Sequence, residues 1–176
     1  MVANFFAFQL GWFACVLGGA WHYPFAGAAV ALAILAWHLS TASDRTAELK
    51  LIICAGVIGW LWDTALLQTG WVSFNDGALY PGTAPIWMVT LWMVFATTLN
   101  VSMSWIKSKL FLAAVLGAAA GPVAYLGGAR LGAMQFYDQQ PALIALAIGW
   151  ATATPLLAFL ASRLNGFPPQ SQPVTP

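Results

Sequence analysis

The sequence contains very few charged residues. Lysine, arginine, aspartate and glutamate together make up 6% of its 176 residues, and the net charge is +1. A soluble domain carries about 25% of such residues, so this chain lacks the side chains that a water-facing surface needs. The small net charge also argues against a nucleic acid as partner. Because 61% of the residues are hydrophobic, the sequence predicts an integral membrane protein.

Cysteine and histidine are also scarce, with two of each. Cys15 and Cys54 both lie in apolar runs, which indicates small buried side chains and not a disulfide or a metal pair. His22 and His38 fall near opposite ends of one apolar segment, so one chain cannot hold a haem between facing helices with them. Neither a nucleotide-binding motif nor a pair of catalytic carboxylates is present. We therefore expect no cofactor and no metal, and assign no catalytic residue.

Six apolar segments follow one another, each close to the 20 residues that a helix needs to cross the hydrocarbon core. They are continuously apolar and do not alternate, which favours helices over a β-barrel. We expect an all-α, six-helix transmembrane domain over residues 1–164, with spans at about residues 3–20, 23–40, 49–69, 85–106, 110–129 and 141–164. The Pro-rich residues 165–176 are predicted to form a disordered cytoplasmic tail.

The few cationic side chains orient these spans. All but one fall on the same side of a six-span bundle, namely Arg45, Lys50, Lys107, Lys109 and Arg163. Arg130 falls on the other side. The positive-inside rule then places both termini in the cytoplasm. Residues 70–84 form the only substantial outer loop of this arrangement, with turn signals at 75–77 and 80–82.

Asp63 lies well inside an apolar run, and it is the only acidic residue that we expect within the membrane. A carboxylate there costs a few kcal/mol on insertion scales, so it is usually paired, hydrated or functional. The third and fifth spans both run outward, which gives Asp63, Tyr125 and Arg130 similar depths. We predict an outward-facing polar pocket as the ligand-binding site, formed by Asp63, Tyr125 and Arg130 and walled by Trp60, Trp62 and Trp87. A purely structural Asp63–Arg130 ion pair, or an Arg130 that extends to the interface, is the alternative.

A second layer of polar residues is expected in the inner half of the membrane. Spacings of three and four residues place the polar residues of the fourth span on one helix face that points into the bundle. Hydrogen bonds between such groups stabilise helix packing by roughly 0.6–2 kcal/mol each. We interpret this layer as an intramembrane polar network, with a binding site or polar path as the alternative; its residues are Asn4, Gln9, His38, Thr97, Asn100 and Ser104.

Two longer stretches resemble a known family. They are residues 95–105 (FATTLNVSMSW) and 121–133 (GPVAYLGGARLGA), and they are accompanied by Asn4, Phe8-Gln9, His38-Leu39 and Asp63. With these residues the chain resembles a family of small bacterial inner-membrane proteins that is catalogued as a domain of unknown function. The resemblance implies a single domain, a multi-pass location in the bacterial inner (cytoplasmic) membrane, and a lipid-linked role.

These observations favour a protein that binds or moves a small amphipathic or apolar molecule, such as a lipid-derived one. Its expected partners are membrane lipids and this ligand, and a membrane-protein partner or a second copy of the chain is left open. Two other functions stay open. One is a non-catalytic accessory subunit of a larger membrane complex, and the other is a membrane-embedded lipid-modifying enzyme that uses Asp63 as acid or base.

Overall fold

The computed structural model describes residues 1–167, and this part of the chain is helical. Its α-helices are α1 (Val2–Ala20), α2 (Pro24–Thr41), α3 (Arg45–Gln68), α4 (Ile86–Leu99), α5 (Leu110–Arg130) and α6 (Gln139–Arg163). A short 3₁₀ helix covers Ser104–Ile106, and two short strands, β1 (Val72–Phe74) and β2 (Met134–Phe136), lie between helices. The predicted all-helical class is confirmed. The predicted tail, residues 165–176, begins within the described chain, where residues 165–167 follow α6, and from residue 168 onward it lies outside the described residues.

Five of the six helices described in residues 1–167 are long and apolar enough to cross a membrane, judged by length and composition. The exception is α4, which is apolar but has only 14 residues. At 1.5 Å per residue it is about 21 Å long, which is less than the thickness of a typical hydrocarbon core. A count of six spans therefore depends on the chain that continues α4.

The helix α4 ends earlier than the sequence predicted. We expected a continuous span over residues 85–106, but the helix stops at Leu99 and is followed by a turn and the 3₁₀ helix. Asn100 occupies the C-cap, and its side-chain amide donates to the Glu48 carboxylate on α3 at 2.6 Å. This hydrogen bond stabilises the end of the helix at that point, because a buried carboxylate needs hydrogen-bond donors. Ser104, expected on the polar face of the helix, lies outside it.

The two ends of the bundle differ in structure. At one end, which we call the terminal end, Asn4 near the start of α1 donates to the carbonyl oxygen of Thr97 near the end of α4 at 3.2 Å. The N–H of Gly166, after α6, donates there to Glu48 near the start of α3 at 2.8 Å. The terminal end therefore holds the first residues of α1 and α3 and the last residues of α4 and α6.

The opposite end, which we call the sheet end, is closed by loops. The strand β1 pairs antiparallel with β2, and the side-chain amide of Asn75 donates to the carbonyl oxygens of Gly19 at 3.2 Å and Gly132 at 2.8 Å. Gly77 (φ +108°) and Gly82 (φ +77°) take backbone angles that favour glycine, in agreement with the predicted turns. The strands were not predicted, since three residues carry too little pattern to identify.

Tryptophan rings packed on glycines hold the helices together. The places where a Cβ atom on a glycine would overlap the indole of a neighbouring helix include Gly59 with Trp92, Gly121 with Trp150, and Gly149 with Trp62. These pairs join α3 to α4, α5 to α6, and α3 to α6. Large rings fit against small residues in this way because protein interiors are close-packed.

Candidate functional site

Asp63 lies in the interior of the bundle and has no exposed surface. One carboxylate oxygen accepts a hydrogen bond from the indole N–H of Trp92 on α4 at 2.7 Å. The other oxygen accepts a hydrogen bond from the Tyr125 hydroxyl on α5. Each donor offsets part of the cost of burying the carboxylate. Asp63 therefore joins α3, α4 and α5, and the structure brings it together with Tyr125.

Arg130 does not join this group. It is exposed at the last position of α5, whereas Tyr125 lies five residues earlier, about 7.5 Å along the helix axis. The ion pairs within residues 1–167 include His22–Asp76 and His38–Glu48, and none of those described joins Asp63 to Arg130, so the alternative of a structural Asp63–Arg130 pair does not hold. Neutral donors satisfy both oxygens of Asp63, and Arg130 is exposed at the end of its helix, so the carboxylate does not depend on Arg130.

The three tryptophans predicted to wall a pocket lie in different environments. Trp60 is 37% exposed on the outer surface of α3. Trp62 packs against Gly149 of α6, and Trp87 is buried and lines a cavity. The outward-facing polar pocket that we expected around Asp63 is therefore not an open site in this structure, since the carboxylate is enclosed by its own donors.

The open space lies on the other side of Tyr125. A cavity of about 620 Å³ opens between two helix pairs, α1 packed on α4 and α5 packed on α6. We call it the aromatic cleft, and its lining includes Phe8, Trp12, Trp87, Trp92, Phe95, Tyr125 and Trp150. Its volume falls in the range of pockets that bind small molecules, roughly 300–1,000 Å³.

Aromatic rings form one continuous wall of this cleft. The Trp92 and Trp150 rings stack with their centroids 4.2 Å apart. Phe95 meets Trp150 edge-to-face at 5.4 Å, and Phe8 meets Phe95 at 6.2 Å. Hydrogen bonding to Asp63 fixes the Trp92 ring from behind. The buried carboxylate thus positions an apolar surface, and that surface can bind an apolar or aromatic group.

The cleft is long and follows the helix axes. Its lining extends from Phe8 to Val16 on α1 and from Leu116 to Gly128 on α5, about 12 Å and 18 Å at 1.5 Å per residue. Gln9 supplies one of the few polar side chains in the lining. A long apolar space with little hydrogen-bonding capacity suits an extended hydrocarbon better than a compact polar molecule.

The terminal end contains a second buried carboxylate that the sequence analysis missed. Glu48 on α3 has no exposed surface. Its Oε1 accepts from Asn100 at 2.6 Å and from the Gly166 N–H at 2.8 Å, and its Oε2 shares a hydrogen bond with Nε2 of His38 at 2.8 Å. We call these residues, with Lys107, the Glu48 cluster.

A signal for Glu48 was present in the sequence. It follows Arg45 and precedes Lys50, which gave the stretch the character of a charged loop. The buried face of α3 nevertheless repeats every three or four residues from Glu48 through Leu51 and Ala55 to Asp63. Extending the helix back to its N-cap at Asp44 would have placed Glu48 on that face.

Lys107 completes the cluster from the connection between α4 and α5. Its Nζ donates to Oδ1 of Asn100 at 2.8 Å, so the Asn100 amide bridges a cation and the Glu48 carboxylate. Burial lowers the pKa of Lys107, and the negative charge of Glu48 partly offsets this by raising it. The predicted network residues His38 and Asn100 thus belong to one cluster.

The remaining predicted network residues are divided among different sites. Asn4 and Thr97 form a separate link between α1 and α4, in which the Ser102 hydroxyl donates to Oδ1 of Asn4 at 2.7 Å. Gln9 lines the aromatic cleft. The Ser104 hydroxyl joins neither group in the part of the chain that the structure describes. The network is therefore two clusters at the terminal end, not one layer.

Fold and cavity together define a small helical bundle of apolar helices that encloses an aromatic cleft. Residues 1–156 match the model of a family described as "Protein of unknown function (DUF2878)", and the chain belongs to that family. This confirms the resemblance to an uncharacterised family found in the sequence. No curated protein and no solved structure matched the chain.

Proposed function

We propose that this protein crosses a membrane six times and binds an amphipathic or apolar molecule in the aromatic cleft. The observation that carries the proposal is the cleft itself, a space of about 620 Å³ with an almost wholly apolar and largely aromatic lining. We place it in the bacterial inner membrane with both termini in the cytoplasm.

The distribution of charge supports this orientation. Five cationic residues lie at or near the terminal end, namely Arg45, Lys50, Lys107, Lys109 and Arg163. Arg130 lies at the sheet end, at the last position of α5. The positive-inside rule then assigns the terminal end to the cytoplasm. In this proposal α4 makes the sixth crossing together with the turn and the 3₁₀ helix that follow it.

The ligand class follows from the shape of the cleft and its surroundings. The space opens between α1 and α5, whose outer faces carry exposed apolar side chains such as Phe13 and Val123. A molecule already dissolved in the bilayer can therefore reach the cleft from the side. Its hydrocarbon part would lie along the aromatic wall, and Gln9 would hydrogen-bond a polar group. We infer a lipid-derived ligand.

Asp63 has a positioning role in this proposal. Its carboxylate orients Trp92 and Tyr125, which line the cleft, and it has no exposed surface of its own. A lipid-modifying enzyme that used Asp63 as acid or base would need substrate to reach that carboxylate. The geometry favours binding over catalysis at this residue.

The cleft offers a sharp test because Gly128 lines it and a Cβ atom there would meet nothing within 4 Å. Gly128→Leu should fill the space without disturbing the helix packing. Ala119→Leu is the matched control, since Ala119 lies on the same helix, is exposed and does not line the cleft. Each variant would be purified in mild detergent, and retained small molecules would be identified by native mass spectrometry and lipidomics.

We expect wild type and Ala119→Leu to retain the same lipid-like molecule. Gly128→Leu should retain at least about fivefold less while keeping its unfolding temperature. Equal retention in all three proteins would show that the cleft is not the site. If wild type retains no specific small molecule and a membrane protein copurifies with it, the result would instead favour an accessory subunit.

A further inference from the structure

The chain that follows α6 folds back over the Glu48 cluster. We propose that residues 164–167 act as a releasable clasp that keeps the terminal end of the aromatic cleft closed. This inference rests on the proposed function, because it concerns the regulation of the same cleft. It is carried by contacts that are separate from those of the aromatic wall.

The clasp contacts side chains of α2 and α3 and the backbone of the loop between these helices. The Gly166 N–H donates to Glu48, and its carbonyl oxygen accepts from the backbone N–H groups of Ser43 at 2.8 Å and Asp44 at 3.1 Å. The Phe167 ring lies on the His38 ring, with centroids 5.1 Å apart. These contacts hold residues 166–167 against the start of α3 and the end of α2.

Glycine is required at position 166. A Cβ atom there would lie 2.6 Å from Cγ of Glu48 and would also overlap the carbonyl oxygen of Asp44. Such approaches are far inside van der Waals contact, and one neighbour is backbone, which cannot move aside without shifting α3. A single methyl group at this position should therefore displace the clasp.

The clasp is connected to the cleft through Asn100. Its amide donates to Glu48 and to the carbonyl oxygen of Leu164 at 2.9 Å, and it begins the connection between α4 and α5. Three residues later Met103 lines the cleft, with its N–H donating to the carbonyl oxygen of Thr98 at 2.7 Å. Loss of the clasp removes the Leu164 carbonyl oxygen as a partner of Asn100 and leaves its hydrogen bonds to Glu48 and Lys107, so we expect the connection that carries Met103 to loosen.

The connection is also held by the hydrogen bond from Ser102 to Asn4 on α1, at 2.7 Å. With this bond intact, the connection would pivot and not detach. The buried Glu48 carboxylate would lose the Gly166 donor and draw in water, because a buried charge without its donors is costly. Release of the clasp would thus both hydrate the Glu48 cluster and open the cleft at the terminal end.

Access to Met103 reports on this opening. We would place Met103→Cys in a background that carries Cys15→Ala and Cys54→Ala, and measure the rate at which a water-soluble maleimide labels it in detergent. Gly166→Ala is the test variant. Ser162→Ala is the control, because Ser162 is exposed near the same end of α6 and its hydroxyl bonds only to the carbonyl oxygen of Phe159.

We expect Gly166→Ala to raise the labelling rate at least about fivefold and Ser162→Ala to leave it unchanged. Equal rates in both variants would overturn the clasp. If Gly166→Ala does not fold, a chain that ends at Asn165 removes the clasp without adding an atom, and it should give the same increase. If that chain does not fold either, the segment is a fixed part of the bundle and the proposal is wrong.

The two proposals can fail separately. If Gly128→Leu loses the bound molecule but Gly166→Ala leaves Met103→Cys protected, the cleft binds its ligand and the clasp does not control it. If Gly166→Ala exposes Met103→Cys while Gly128→Leu changes no retention, the terminal end opens but the cleft is not the binding site.

Discussion

At the scale of single residues, two buried carboxylates on one helix have opposite surroundings. Asp63 accepts hydrogen bonds from the neutral side chains of Trp92 and Tyr125. Glu48 has His38 and, through Asn100, the cation of Lys107 close by. A buried acidic residue in a membrane protein is a candidate for function by default. Their partners differ accordingly, since Asp63 contacts two side chains that line the cleft and Glu48 contacts the backbone of Gly166.

Removal of the Asp63 carboxylate should destabilise the fold. Asp63→Ala leaves two buried donors without acceptors, so we expect the free energy of unfolding to fall by about 2–5 kcal/mol. Asp63→Asn keeps one acceptor oxygen and should lose less. Denaturant unfolding in mixed micelles, followed by tryptophan fluorescence, would measure both. An Asp63→Ala variant as stable as wild type would contradict the hydrogen bonds described for this residue.

At the scale of helices, glycine positions with tryptophan neighbours decide which helices pack. The sequence shows several small residues in α5, and spacing of this kind predicts close approach of another helix. It does not show which glycine meets which ring. Gly121 faces Trp150, while Gly128 faces the open cleft. Chemically identical residues on one helix therefore have different roles.

Substitution by alanine at these two glycines should affect the free energy of unfolding differently. Gly121→Ala forces its Cβ into the Trp150 ring, and we expect a loss of about 1–3 kcal/mol in the free energy of unfolding. Gly128→Ala meets no neighbour, so lower chain entropy in the unfolded state should leave stability unchanged or raise it by up to about 1 kcal/mol. Thermal unfolding of both variants in detergent would compare them. A similar loss in both would show that α5 is packed differently.

At the scale of the whole molecule, the bundle has two unlike ends. The terminal end carries most of the cationic residues and the Glu48 cluster, and the sheet end carries β1, β2 and the exposed His22–Asp76 pair. The orientation of a membrane protein in the bilayer follows from such an asymmetry of charge. The proposed topology makes each end accessible from one compartment only.

Thiol labelling from one side of the membrane would test this topology. In the background without Cys15 and Cys54, Leu79→Cys lies exposed at the sheet end and Ser162→Cys exposed at the terminal end. With spheroplasts and an impermeant maleimide, we expect Leu79→Cys to be labelled directly. Ser162→Cys should react only after lysis. Labelling of both positions in intact spheroplasts would place them on the same side of the membrane and would contradict a total of six crossings.

The sequence by itself determined the class of the protein and the path of most of its chain. Scarce charge and long apolar runs leave helical segments as the main way to satisfy backbone hydrogen bonds in an apolar environment. Apart from the start of α3 and the end of α4, the starts and ends of the helices followed closely from the same runs. The turn at 75–77 followed from its turn-forming residues. The depth of Asp63 beside Tyr125 could also be estimated, because both lie at countable positions on their helices.

Only the tertiary structure decided the site. Helix rotation, which a nearly uniform apolar composition leaves undetermined, placed Trp60 on the surface, Trp62 against α6 and Trp87 in the cleft. It also left Arg130 away from Asp63, since neutral donors had already satisfied the carboxylate. The Glu48 cluster joins residues from four separate stretches of the chain, and Gly166 lies 118 positions from Glu48. Contacts over such distances depend on packing, which local sequence patterns do not encode.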